Sequence, residues 1–367
     1  MTIRNTISAA ALLLLACGAS AVDHVASIKV AEPVLEMKAD GGEGGMQDVV
    51  GLGLRGDSSV IVGDAANAQI VHIGATGTPV NRAGRKGSLV GEYQRLQWVG
   101  VCEDSVLLVH DIALSRVSTL GDHMQTLASR TVPKALDSRD IAGCLTGSRV
   151  LVLNDSLVNK VYGVFRRPMS LVGFNWRTGK ADTIRKFEGN QINFVRRLGT
   201  SIAVPMGART HVSTAANQIF VAESDLDSLW RFDGSWHAIK LQNIPIARAP
   251  LPIDDQRARL ALAWAPRTVQ DRAFAPELLA ETPTAKIAPR IDALVASDDG
   301  IAWIGLKPNA NGQRDWIAYN ARGEETGSTH FSWTFEPRVV RGATWWGIER
   351  DSIGVESVVR YRVDRAN

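Results

Sequence analysis

What the chain lacks narrows its function first. Beyond the N-terminal twenty-one residues there is no apolar run long enough to span a bilayer, so no membrane helix is predicted in the mature chain. A charge of one sign is also missing. With 41 basic and 38 acidic residues the formal net charge is +3, too even to favour nucleic acid or an anionic membrane. Histidine is sparse, at positions 24, 72, 110, 123, 211, 237 and 330, and no pair has metal-ligand spacing. There is no Gly-x-Ser-x-Gly elbow, no His-Glu-x-x-His and no phosphate loop, so no recognisable nucleophile or phosphate cradle is encoded. Cysteine occurs three times, at Cys17, Cys102 and Cys144.

Residues 1–21, MTIRNTISAAALLLLACGASA, combine one arginine, a short apolar run and small residues at Ala19 and Ala21, the pattern of a secretory signal. Two cleavage sites fit. One follows Ala21; the other precedes Cys17, where Leu14-Leu15-Ala16-Cys17 reads as a lipoprotein box and a lipid on Cys17 would tether the domain. The expected location is therefore exported, either periplasmic or lipoprotein-anchored. Removing the signal takes away Arg4 alone and leaves a formal +2.

What is present is a repeat. Arg95 stands sixteen residues before Asp111, Arg139 sixteen before Asp155, Arg209 sixteen before Asp225, and Asp48 sixteen before Asp64. Each copy reads as an apolar strand, a turn of Gly, Asn, Asp or Ser, and a second apolar strand ending at an acid. Six units follow, over 46–80, 94–132, 138–188, 208–242, 290–332 and 337–364. Four short strands joined by tight turns make a blade-like meander, so residues 22–367 are expected to form one all-β domain, a six-bladed β-propeller. The sixth unit lacks a fourth strand, and an orphan strand near Ala26–Ala31 is expected to supply it and close the ring. Residues 243–289, with seven prolines and two helix-like stretches, are read as a short helical insertion between the fourth and fifth blades. Cys102 and Cys144 occupy equivalent places in consecutive units. At a sheet-packing separation of roughly 10 Å they lie beyond disulfide reach, and two free thiols are expected.

The stretch VIVGDAANAQIVHIGATG (60–77) resembles the NHL pattern of strand, Asp, Asn, polar residue, strand and Gly, with Gln69 where arginine is usual. GRKGSLVGEY (84–93) resembles the glycine-rich linker of the same exported bacterial propellers, with Leu89 and Val90 in place of its Gly and Pro. The chain thus resembles six-bladed propellers of the NHL and TolB-like group. The resemblance implies the fold and an exported protein, and it implies little about activity.

The register places Arg95, Arg139, Arg209, Arg290 and Arg338 at the starts of five innermost strands, around one mouth of the central channel. Two readings follow. A cationic ring would attract a carboxylate, phosphate or acidic glycan; alternatively each guanidinium pairs with a nearby turn acid and locks blade to blade. Leu306 replaces the acid opposite Arg290, making Arg290 the least neutralised. His110 and His211 are placed beside this mouth. No cofactor is expected. Calcium or another divalent metal is the weaker reading, because Asp64, Asp111 and Asp155 are spread one per blade instead of converging, and structural turns explain them. Trp98, Trp230, Trp303, Trp345 and Trp346 are assigned to packing between blades, and Trp264 to a possible ligand contact. The function expected is non-enzymatic recognition of an extracytoplasmic small molecule, glycan or protein at that mouth. The competing reading is a metal-dependent lactonase-like hydrolase or a lyase.

Overall fold

The second strand of each repeat decides the architecture, because it is apolar on both faces and must be covered twice. In the computed structural model, β4 (Val60–Asp64) is buried at every position, as is β8 (Leu107–Asp111). The structure describes residues 30–364 other than 43–44, 104–105, 134–135, 137–139, 156–161, 197–199, 205, 227, 234–237, 244–282, 284–288 and 310. The insertion and its Trp264, the signal segment with Cys17, and Arg139 therefore lie outside the described residues.

Six small sheets stand around an axis. Blade one is β3 (Val49–Leu54), β4, β5 (Gln69–Ile73) and β6 (Pro79–Ala83); blade two is β7 (Leu96–Val101), β8, β9 (Arg116–Leu120) and β10 (Thr126–Thr131). Blade three has five strands, β11 (Asp140–Leu145), β12 (Arg149–Asp155), β13 (Gly163–Asn175), β14 (Ala181–Val195) and β15 (Thr200–Ala203). Blade four is β16 (Thr210–Ala215), β17 (Gln218–Glu223), β18 (Ser228–Phe232) and β19 (Ala238–Asn243). Blade five is β20 (Ile291–Ala296), β21 (Ala302–Leu306), β22 (Gln313–Tyr319) and β23 (Glu325–Ser332). Blade six is β24 (Phe335–Arg341), β25 (Thr344–Arg350) and β26 (Glu356–Val363). The first strands β3, β7, β11, β16, β20 and β24 line the axis, each packed on the next, and β24 returns to β3.

The core is six layers, one between each pair of neighbouring blades. Strand side chains alternate between faces, so consecutive residues of a second strand serve different layers. Ile61 packs with Val99 and Val109 of blade two, whereas Val60 and Val62 pack with Trp346 and Ile348 of blade six. Leu151 meets Val221 of blade four while Val150 and Val152 meet Leu108 of blade two. In blade six Trp345 turns to Trp303 and Trp316 of blade five, with ring centroids 4.8 and 5.7 Å apart, and Trp346 turns to blade one. A slip of one residue in any such strand would exchange its two layers. Trp303, Trp345 and Trp346 are buried and Trp98 and Trp230 half-buried at blade interfaces, as expected.

The ring is closed by the N-terminal segment, one strand later than the sequence suggested. β2 (Pro33–Ala39) pairs antiparallel with β26 and completes blade six, while β1 (Val30–Ala31) lies parallel to β23 on the outside of blade five. Met37 and Ala39 carry the closure into the layer with blade one.

The expectation of two free thiols is overturned. Cys102 and Cys144 form a disulfide, with their Cα atoms 5.5 Å apart. The sheet-packing separation used to exclude it applies to the middle of a blade, whereas blades are wedges whose inner strands converge on the axis. Glycines mark the convergence. A Cβ on Gly51 of β3 would stand 2.4 Å from the Val99 carbonyl of β7, and one on Gly143 of β11 would collide with the Thr214 hydroxyl of β16. Cys102 directly follows β7 and Cys144 lies in β11, so both sit where neighbouring blades are nearest.

Candidate functional site

Each blade offers to one end of the channel the start of its first strand, the end of its second and the start of its third, since antiparallel neighbours reverse direction. The acid ending the second strand is committed to backbone there. Asp64 is fully buried and accepts the amides of Gln47 (3.4 Å) and Asn67 (3.2 Å) and the Asn67 side-chain amide (2.8 Å). Asp111 accepts the amides of Gln94 (2.7 Å), Arg95 (3.4 Å) and Leu114 (3.0 Å). Both are capped turns. In blade four the matching position is Glu223, opposite Thr210, and Asp225 lies beyond the strand and pairs with Arg166. The sixteen-residue spacing to Asp225 is therefore sequence coincidence, two residues out of register with the strands.

The arginines divide accordingly. Arg95 and Arg209 precede β7 and β16, are exposed, and make no ion pair among the described residues. Arg290 is half-buried directly before β20. Arg338 does not start its strand. It is the bulged residue of β24, between the pairs Pro337–Gly347 and Val339–Trp346, and its guanidinium stands 3.0 Å from Glu336. The residue of β24 equivalent to Arg95 is Phe335; alignment on the glycine shared by Gly63, Gly305 and Gly347 moves the strand start by three positions. His110 is 2 % exposed inside blade two, opposite Trp98, and presents no surface to the mouth.

Blades four and five bring together what the other blades keep apart. His211 of β16 is desolvated by burial, and this pushes its pKa down to about 4; Arg209 and Arg314 add to the fall, while Asp292 and a hydrogen bond to the backbone of Ile291 oppose it. Its Nε2 is buried with no hydrogen-bond partner among the described residues, so the bond to Ile291 falls to Nδ1–H and Nε2 is left as an acceptor. Arg314, the second residue of β22, holds Asp292 of β20 at 2.6 Å through Nη2, and its Nε–H is likewise buried without a partner. Asp292 is the bulged residue of its strand, between the pairs Ile291–Leu306 and Ala293–Gly305, which takes it out of the regular ladder and lets it reach Arg314 two strands away. Arg290 and Lys307 adjoin, through a 3.0 Å bond from the Lys307 amide to the Arg290 carbonyl. Two cations, Arg209 and Arg314, thus act with Asp292 on a neutral imidazole, and Arg290 and Lys307 stand at the ends of the adjoining strands.

The long hairpin of blade three forms one wall. β13 and β14 run 13 and 15 residues, well beyond the usual strand, and their extra length projects at this same end. Arg166 ties it to blade four: its guanidinium pairs with Asp225 and donates to Thr210 Oγ1 at 2.7 Å, one residue from both Arg209 and His211. Sequence reading missed Asp292, Arg314 and Arg166. Asp292 carried a usable signal, a lone acid in an inner strand two residues after Arg290; the other two are single arginines in β segments and carried none.

The class is thus a six-bladed β-propeller with a basic quadrant at one channel mouth. No family model matches the chain, and no curated protein resembles it in sequence. Solved structures do share its fold. A Bacteroides fragilis protein assigned to the exported class superposes with a TM-score of 0.54 at 13% identity, over 90% of this chain and 95% of its own. A member of the DUF4221 family from Bacteroides vulgatus gives 0.56 at 11% identity, over 92% and 99%. A catalytically inactive virginiamycin B lyase from Staphylococcus aureus gives 0.44 at 10% identity, over 90% and 100%, which is too remote to bear on this chain's chemistry. Among the described residues, no helix is long and apolar enough to cross a membrane.

Proposed function

We propose that this protein is an exported β-propeller that binds a small anionic, hydroxyl-bearing ligand, a hydroxy acid or acidic sugar, at the mouth between blades four and five, without transforming it. The single observation that carries the reading is the pair of buried, unmet groups there, the His211 Nε2 acceptor and the Arg314 Nε–H donor. Leaving both unsatisfied costs about 1–3 kcal/mol each. A hydroxyl both donates and accepts, so it can meet either group once the layer between the blades opens to it, while the exposed Arg209 guanidinium offers a fork to a carboxylate or phosphate. The signal-like segment of residues 1–21 supports export, with retention in the periplasm or through a lipid on Cys17. The motifs at 60–77 and 84–93 support a place among the NHL and TolB-like propellers.

The hydrolase or lyase reading has one observation in its favour, since the same Nε2 lone pair is shaped like a general base. A pKa near 4 makes that base weak at neutral pH, and among the described residues no three of His, Cys, Asp and Glu gather to hold a metal. Calorimetry with citrate and with tricarballylate, which lacks only the hydroxyl, tests the proposal. Citrate should bind more tightly, Arg209→Gln should weaken both, and His211→Phe should erase the difference. Equal affinity of the wild-type protein for the two acids would refute the reading.

A further inference from the structure

The opposite end of the channel axis carries a second cleft, of about 220 Å³, at the seam where the ring closes. Blade six supplies Arg341, Trp346 and Arg360 together with Glu36 of the closing strand; blade one supplies Arg55 and Ser58 from the turn after β3. Three guanidiniums therefore line it against one carboxylate. That carboxylate is already engaged, with Arg360 Nε at 3.1 Å and Arg362 Nε at 3.7 Å.

The arginines are held in place from outside the cleft. Asp122, on the solvent side, takes Arg55 Nη2 at 2.8 Å, and Asp298 stands 3.7 Å from Arg341 Nε. Arg360 lies over the Trp346 ring at 5.3 Å, and its Nη1 donates to the Ala75 carbonyl at 3.3 Å. Each guanidinium carries five N–H donors, so these anchors orient the planes and leave donors over. Two of the side chains are also substantially covered, at 21 % exposed for Arg55 and 20 % for Arg360, which strengthens their attraction for an anion relative to a freely solvated arginine. Orientation paid in advance by folding lowers the cost of binding. The volume falls below the usual range for drug-sized ligands, which restricts the occupant to about one small ring.

We propose that this seam cleft binds a compact oxyanion, a phosphate or carboxylate carried on at most a single sugar ring, independently of the channel mouth. The bound anion bridges Arg55 and Ser58 of blade one to Arg341 and Arg360 of blade six, so occupancy fastens the seam that β2 closes. Ligand binding to the folded state alone raises stability by mass action, and the seam is where that gain should be visible.

The test is thermal unfolding with sodium phosphate, sodium glucuronate, and sodium chloride at matched ionic strength, read together with amide exchange in β2. Either oxyanion should give a rise that grows with the logarithm of its concentration, about 2 °C at ten times its dissociation constant, and slow the exchange of Met37 to Ala39. A rise with phosphate alone would assign the site to phosphate, and with glucuronate alone to a sugar acid. Arg341→Gln, at an exposed position, should weaken the response at least tenfold, and Arg55→Gln likewise, whereas Arg209→Gln at the other mouth should leave the slowed exchange of Met37 to Ala39 intact. The proposal is overturned if chloride matches both oxyanions, if neither oxyanion acts, or if Arg341→Gln and Arg55→Gln respond as the wild type does.

Discussion

Acidifying the protein should destabilise it through His211, by an amount the structure sets. A histidine titrating near 6.5 when unfolded and at about 4 when folded binds its proton more readily in the unfolded state throughout that window. The stabilisation is therefore complete above pH 6.5 and drains away as the pH falls toward 4. A shift of about 2.5 units corresponds to about 3 kcal/mol at full development, with a steepest slope of about 1.4 kcal/mol per pH unit. The groups facing the ring set the balance: burial, Arg209 and Arg314 oppose the charged form, and Asp292 and the Ile291 carbonyl favour it. His72 is also depressed, by burial and by Arg55, so a wild-type profile alone mixes the two. The assay is urea unfolding followed by tryptophan fluorescence between pH 8 and 4, for the wild type and for His211→Gln, in which His72 contributes equally and cancels. The difference between the curves should grow by about 3 kcal/mol on acidification. Parallel curves would refute the burial of a neutral imidazole at this mouth.

Two other consequences follow from the packing. The disulfide closes a loop with a sequence separation of 42 residues, so Cys102→Ser with Cys144→Ser should lower stability by about 4 kcal/mol on the chain-entropy account, and a reductant should reproduce the loss in the wild type but leave the double variant unchanged. Gly51→Ala puts a Cβ 2.4 Å from the Val99 carbonyl; separating two inner strands to admit it should lower the melting temperature by several degrees, and circular dichroism showing an unchanged transition would contradict the converging-wedge geometry.

Much of the fold was legible because it is written in a short-range code. The runs VIVGD and LLVHD are apolar on both faces, and a strand that needs two covers, recurring six times, leaves few architectures besides a ring. The failures came from quantities that periodicity does not encode. The closing strand slid from Ala26–Ala31 to Pro33–Ala39 because both stretches alternate, and only the match of Met37 and Ala39 to the layer between blades one and six selects the second. The disulfide was missed because spacing in sequence says nothing about how fast two wedges converge. The places of Arg95, Arg209 and Arg290 in the fold were legible because each directly precedes an inner strand. Arg338 was misplaced because β24 begins at Phe335, three residues before it and earlier than the run PRVVRG suggests. The Arg314–Asp292 pair joins two strands of blade five, twenty-two residues apart, and beneath it His211 comes from another blade altogether. Such a meeting depends on ring closure, which no local pattern reports.

The most direct test of the central claim is position-resolved. Amide hydrogen exchange of the full chain, with and without saturating citrate, should show protection confined to Arg209–His211 of blade four and to Ile291–Asp292 and Arg314 of blade five. Arg209→Gln should reduce that protection. Protection spread over other parts of the ring, or absent at these six positions while citrate is demonstrably bound, would contradict the account.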